Sequence, residues 1–155
     1  MCLWSKDIKP KKLKEDLIVY KIFRLDYNMG FVTPYQNYSL GEIFKGKFFK
    51  TDQFGHNEFA NDCGQLGYAI IYGFHFYVKK EDAIKQITEW EKYRKIANEE
   101  FGNEYGPLFI SECIIKKDSE YYEGLNDFGN ITICAGSFTL GDYEEFKLET
   151  ENETL

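Results

Sequence analysis

The chain has no C-x-x-C pair and only two histidines, so the ligand spacing of a structural zinc site is missing. Its four cysteines, Cys2, Cys63, Cys113 and Cys134, are widely spaced. That is the usage of reduced thiols in a cytosol, although spacing alone leaves a disulfide pair open. Only three prolines occur, which excludes a long proline-rich linker. No apolar run reaches the roughly 18–20 residues needed to span a bilayer. The start, "MCLWSKDIKPKKLKEDLIVY", places its lysines after its few apolar residues and has no apolar core, so it lacks the layout of a signal peptide. The expectation is a soluble, cytoplasmic protein with no membrane partner.

The signatures G-x-x-x-x-G-K-[ST], G-x-G-x-x-G, H-E-x-x-H and G-x-S-x-G are also missing. "DYNMG" and "DQFGHNE" lack the spacing and final Glu of a calcium-binding loop. No metal and no cofactor are expected. A basic face is missing too. The net charge is −7, and it is unevenly placed: residues 1–14 carry five lysines against Asp7, and residues 141–155 carry six acids against Lys147. Without residues 141–155 the rest of the chain carries about −2 by the same count, close to neutral, which argues against a nucleic-acid partner.

Aromatic residues make up 18% of the 155 residues, with 14 Phe, 12 Tyr and 2 Trp, which favours a sheet-rich core, an adhesive surface, or both. "DLIVYKIFRLD" (16–26) alternates like a strand, with Leu17, Val19 and Lys21 against Ile18, Tyr20 and Ile22. "YNMG" (27–30) is a turn candidate. "FVTPYQNYSLG" (31–41) suits an edge strand or loop because of Pro34, and "EIFKGKFFKT" (42–51) a half-exposed strand broken at Gly46. Residues 52–66 form a long polar loop. "GYAIIYGFHFYV" (67–78) is the most apolar run and is expected to be one central strand. The only strong helix lies at about 80–101, with Ala83, Ile87, Trp90, Arg94, Ala97 and Phe101 on one stripe, Glu81 and Asp82 in the first turn and Gly102 as the cap. Glu91 and Lys95 are spaced as an ion pair on its surface. "PLFISECIIKK" (107–117) and "NITICAGSFTLG" (130–141) are strands, and "DSEYYEGLNDFG" (118–129) carries turn signals. The fold class is therefore α+β: a twisted, mostly antiparallel sheet with one long amphipathic helix on a face. Residues 1–140 make a single domain, and 141–155 an acidic, flexible tail.

The candidate site centres on His75. Strand alternation puts it on the smaller face of 67–78, with Gly73 and Tyr77, away from Phe74 and Phe76. A strand end before a helix N-terminus is a common place for a ligand, whereas a neutral core histidine bonded to one carbonyl is the plainer reading. The loop supplies His56. "TPYQNY" and "SEYYEG" supply Tyr35, Tyr121 and Tyr122, in the tyrosine-rich composition of recognition surfaces. If Met1 were removed, Cys2 would become an N-terminal thiol whose own amine could serve as base. Glu112 is a further catalytic candidate beside Cys2 and His75, and with Glu120 and Glu123 it reads more simply as a solvated carboxylate.

Several short motifs resemble those of small uncharacterised phage and gut-bacterial proteins: Met1–Leu3, "DLIVYK", "TPY", "GFH" with Ala83 following, and "YYEG". That resemblance implies origin more than chemistry. "YGFHFYVKKEDAIKQ" is faintly similar to the strand and helix of ADP-ribosyltransferases, but "VYKIFR" offers Lys21 and Arg24 in place of a clean match to their catalytic strand, and no motif places Glu112, the one plausible acid. The resulting expectation is a small, non-enzymatic accessory protein of phage or mobile-element origin. It would bind a nucleotide-like ligand or a host protein near His75, Tyr77 and the 52–66 loop, and self-associate through exposed aromatic edges. The alternatives are an enzyme using Cys2 or His75, of N-terminal nucleophile or ADP-ribosyltransferase type, and a protein-directed inhibitor acting through its acidic surface.

Overall fold

The computed structural model describes residues 3–5, 9–26, 30–33, 39–56 and 68–148, with the side chains of His56, Tyr68, Ala69 and Ile71 left aside. Cys2, Tyr35, the 57–66 part of the long loop and residues 149–155 lie outside the described residues. The architecture is α+β, an open, twisted, mostly antiparallel sheet with one helix packed on it.

The strands are β1 (Leu3–Ser5), β2 (Lys11–Lys12), β3 (Leu17–Asp26), β4 (Gly30–Val32), β5 (Ser39–Gly41), β6 (Phe48–Lys50), β7 (Gly55–His56), β8 (Tyr68–Tyr72) and β9 (Phe74–Tyr77). After the helix α1 (Lys80–Phe101) come β10 (Leu108–Ile115), β11 (Glu120–Leu125), β12 (Ile131–Ala135) and β13 (Ser137–Glu145). The main path runs β6-β13-β10-β3-β9-β12-β11-β1-β8-β7, so β9 is central as expected.

The apolar run 67–78 is not one strand. It breaks at Gly73, where φ is 122° and a Cβ would lie 2.6 Å from the Cys134 sulfur and 3.1 Å from the Ala135 carbonyl oxygen. Only glycine fits that bend. Before it, β8 pairs with β1 and β7; after it, β9 pairs with β12 and β3. Residues 130–141 divide in the same way at Gly136, and the Phe54 ring packs over both bends.

Alternation within β9 sorts its neighbours. Phe74 and Phe76 join the main core with Val19, Phe23, Cys113, Ile133 and Phe138. Tyr77 joins a second cluster with Ile22, Ala83, Ile87, Leu108 and Ile110, where the helix lies on the sheet. Leu3, Ile70, Tyr122 and Cys134 form a third.

The helix matches its expected span, with Glu81 and Asp82 in the first turn and Gly102 left-handed at its end. Its stripe differs in two places. Phe101 overhangs the sheet and is exposed, and Glu91 is buried. Glu91 pairs with Arg94 one turn on, so it is part of the packed face. "EYYEGL" is a strand, not a turn. Gly124 serves close packing there, since a Cβ would lie 2.1 Å from the Trp4 carbonyl oxygen. The expected acidic tail also begins too early: residues 141–145 belong to β13, paired to β10.

Candidate functional site

The predicted site residues do not converge. His75 is buried in β9 and its strand partner is Cys134. Tyr77 is buried under the helix, Tyr122 lies in the third cluster, and Tyr121 packs half-buried against the main core. Gly73 is the bend. His56 is in β7, and Cys2 and Tyr35 lie outside the described residues. Glu112 sits in β10, with two strands between it and β12 and a third before β11, so it is far along the sheet from Glu120 and Glu123.

Lys21 meets His75 at its backbone. The Lys21 ammonium donates to the His75 carbonyl oxygen at 2.9 Å and lies 5.2 Å from the centre of the Phe76 ring. The register explains this. β3 and β9 share a single paired position, Tyr20 with Tyr77, and then separate. The lysine side chain reaches across the fork to the next carbonyl. Burial lowers the Lys21 pKa from 10.5 to about 8, and no carboxylate among the described residues holds the proton. The Ser111 hydroxyl donates to the Lys21 carbonyl oxygen at 3.0 Å. Burial also pushes the Cys113 and Cys134 thiols up to about 12, so both are protonated and poor nucleophiles at neutral pH. The Cys134 thiol donates to the Tyr72 carbonyl oxygen at 3.1 Å.

Arg24 is also committed to structure. It pairs with both oxygens of Asp26 at 2.9 and 2.8 Å and stacks 4.8 Å from the Tyr105 ring centre. Lys21, on the main-core face, and Glu112, on the helix face beside Ile110, lie on opposite sides of the sheet.

A recess does open where β10 and β13 extend past the start of the helix. Its volume is about 220 Å³, and it is lined by Tyr20, Lys80, Ile110, Ser111, Glu112, Asp142, Tyr143 and Glu144. Alternation builds it: Tyr20 is the register partner of Glu112, and Ile110 that of Glu144. A bulge between Ser111 and Cys113 accommodates Gly141 and Asp142 opposite Glu112. The lining carries three carboxylates and one ammonium, that of Lys80, with the Lys45 ammonium beside it. Asp142 already holds the Lys45 ammonium at 2.8 Å, which raises the lysine pKa through that hydrogen bond. Among the described residues, no group of three or more His, Cys, Asp or Glu side chains is close enough to hold a metal ion.

Of the predicted candidates the cleft contains only Glu112. Asp142 and Glu144 were read as tail. The signal that could have found them is the alternation of "TLGDYEEF", whose Tyr143 and Phe146 are half-buried and pack against two different clusters. Lys21 was legible as a lysine in register with Val19 and Phe23. No helix among the described residues is long and apolar enough to cross a membrane. No protein-family model matches the chain, and no curated protein or solved structure matches it either.

Proposed function

We propose that this is a non-enzymatic binding protein, an accessory protein of the phage or mobile-element kind its motifs resemble, that captures a positively charged group in the cleft beside the start of α1. The carrying observation is the lining: Glu112, Asp142 and Glu144 line one recess together with Tyr20. Size selects the ligand. At about 220 Å³ the cleft is below the roughly 300 Å³ at which pockets for drug-sized ligands begin, so it suits one side-chain-sized group. Charge selects further, because carboxylates attract an ammonium or guanidinium and repel the phosphates of a nucleotide. The aromatic side chain of Tyr20, the register partner of Glu112, adds a favourable surface for such cations. The host-protein form of the reading follows: a lysine or arginine side chain of a partner is a ligand of the right size and sign.

Thermal shift tests it. Arginine amide and spermidine should raise the melting temperature, and a panel of nucleotides and cyclic nucleotides should leave it unchanged. A ligand at 100 times its Kd stabilises by about 2.7 kcal/mol, which such an assay resolves. Glu144→Gln and Glu112→Gln should reduce the shift. A shift with nucleotides alone, or with no compound at all, rejects the proposal.

A further inference from the structure

The cleft borders an unpaired sheet edge. β13 pairs with β10 on one side through Glu145, but with β6 on the other side only from Ser137 to Thr139. The loop before β6 extends the pairing by one residue: the Gly46 N–H donates to the Leu140 oxygen at 2.7 Å, and the Leu140 N–H donates to Lys47. Among the described residues, no strand pairs with that outer edge beyond Leu140.

The direction of the free backbone groups follows from the ladder. The Phe146 N–H donates inward to the Leu108 oxygen at 2.9 Å, so Glu144, two residues earlier, also points inward. Tyr143 and Glu145 therefore present their N–H and C=O outward. The bulge at Gly141–Asp142 reconciles this with the outward-facing Leu140. An open edge is a template for another strand, and residues directly opposite across a ladder share a face. A residue of an added strand opposite Glu144 would thus project to the helix face, at the cleft. Lys45 supplies an internal precedent, since its ammonium already sits on Asp142 in this acidic strip.

We propose that the outer edge of β13, from Gly141 to Glu145, takes an extended, lysine- or arginine-alternating segment of a partner protein as its next strand, with basic side chains set against Glu144 and Asp142. Main-chain hydrogen bonds would supply affinity, and alternate side chains in the acidic cleft would supply selectivity. The proposal rests on the cation-binding reading of the cleft, and it adds the backbone pairing.

The experiment is fluorescence anisotropy of the full chain with a labelled peptide of roughly seven residues alternating lysine and valine. Its counterparts replace lysine by glutamate, or carry N-methyl groups on the amides that would face β13. The lysine peptide should bind saturably. The glutamate peptide should not bind, and N-methylation should weaken binding by roughly tenfold or more. Tyr143→Pro, which removes one outward N–H, should do the same, with circular dichroism reporting whether it folds. The N-methyl peptide carries the test if it does not. Equal binding of the N-methylated peptide overturns the edge and leaves the cleft standing. So does binding of arginine amide without binding of the peptide. Binding of neither overturns both. Self-association seen by sedimentation without peptide, and lost in Tyr143→Pro, would assign the edge to a second copy and overturn the partner peptide.

Discussion

Lys21 and Arg94 are both cations withdrawn from water on the same sheet-and-helix framework, and their surroundings differ in one respect. Arg94 has a carboxylate. Its Nη2 and Nε donate to the two Glu91 oxygens at 2.6 and 3.0 Å, and its Nη1 donates to the Tyr105 carbonyl at 3.3 Å. Asn98 bonds the same residue twice, at 3.0 Å each way, and Asp26 accepts from the Gly106 N–H at 3.3 Å. This set ties the second half of the helix to the end of β3. Hydrogen bonding to Glu91 raises the Arg94 pKa. Among the described residues Lys21 meets a carbonyl, an aromatic face and two protonated thiols, and burial lowers its pKa to about 8. A buried charge with a counter-charge fastens two elements together. A buried charge without one destabilises the fold at any pH where it keeps its proton.

The contrast can be broken at Arg94. Glu91→Gln keeps the shape and removes the charge, so a cation is left without its partner. The expected loss is about 3 kcal/mol, at the lower end for broken buried pairs because Arg94 is partly exposed. A lower urea midpoint at unchanged slope measures it. An unchanged midpoint would mean that the pair holds nothing.

It can be sharpened at Lys21. Between pH 8 and 10.5 the unfolded chain keeps the Lys21 proton while the folded chain has released it, so this group's contribution to stability rises with pH across that window. The two thiols act oppositely. From pH 9 to 12 they ionise in the unfolded chain but not in the folded one, which lowers stability. Lys21→Met isolates the lysine. Its stability relative to the parent should fall by about 3 kcal/mol between pH 7 and 10.5. A constant difference across that range would show that the amine titrates normally.

The same burial protects the thiols. In the native protein Cys113 and Cys134 should resist iodoacetamide at about pH 8 and react on unfolding, as read by mass spectrometry. Fast native labelling of either would reverse the reading of both as core residues. The smallest effect is expected at Lys45→Ala. Its pair with Asp142 is exposed at both ends, 71% and 73%, so the urea midpoint should not move measurably.

The fold class was legible because its signals are local. The alternation of "LIVYKIFRLD" gave β3, and the three- and four-residue spacing of Ala83, Ile87 and Ala97 gave the helix and the face it buries. The site was not legible, for a different reason in each part. His75 stood out as a lone histidine among phenylalanines, yet it is the His75 carbonyl that holds the Lys21 ammonium. Gly73 looked like a small residue within one strand, but the thiol and carbonyl that demand a glycine, those of Cys134 and Ala135, come from β12, on the far side of the helix in sequence. Asp142 and Glu144 looked like tail because acidic residues near a chain end usually are solvated.

By itself the sequence determined which residues alternate, which recur at helical spacing and which faces are apolar, since these depend on backbone periodicity alone. The tertiary structure decided which carboxylates share a recess, which lysine loses its water and where the sheet is left open. Those follow from register and strand order, which bring Glu112, Asp142 and Glu144 together across a bulge that no local pattern announces.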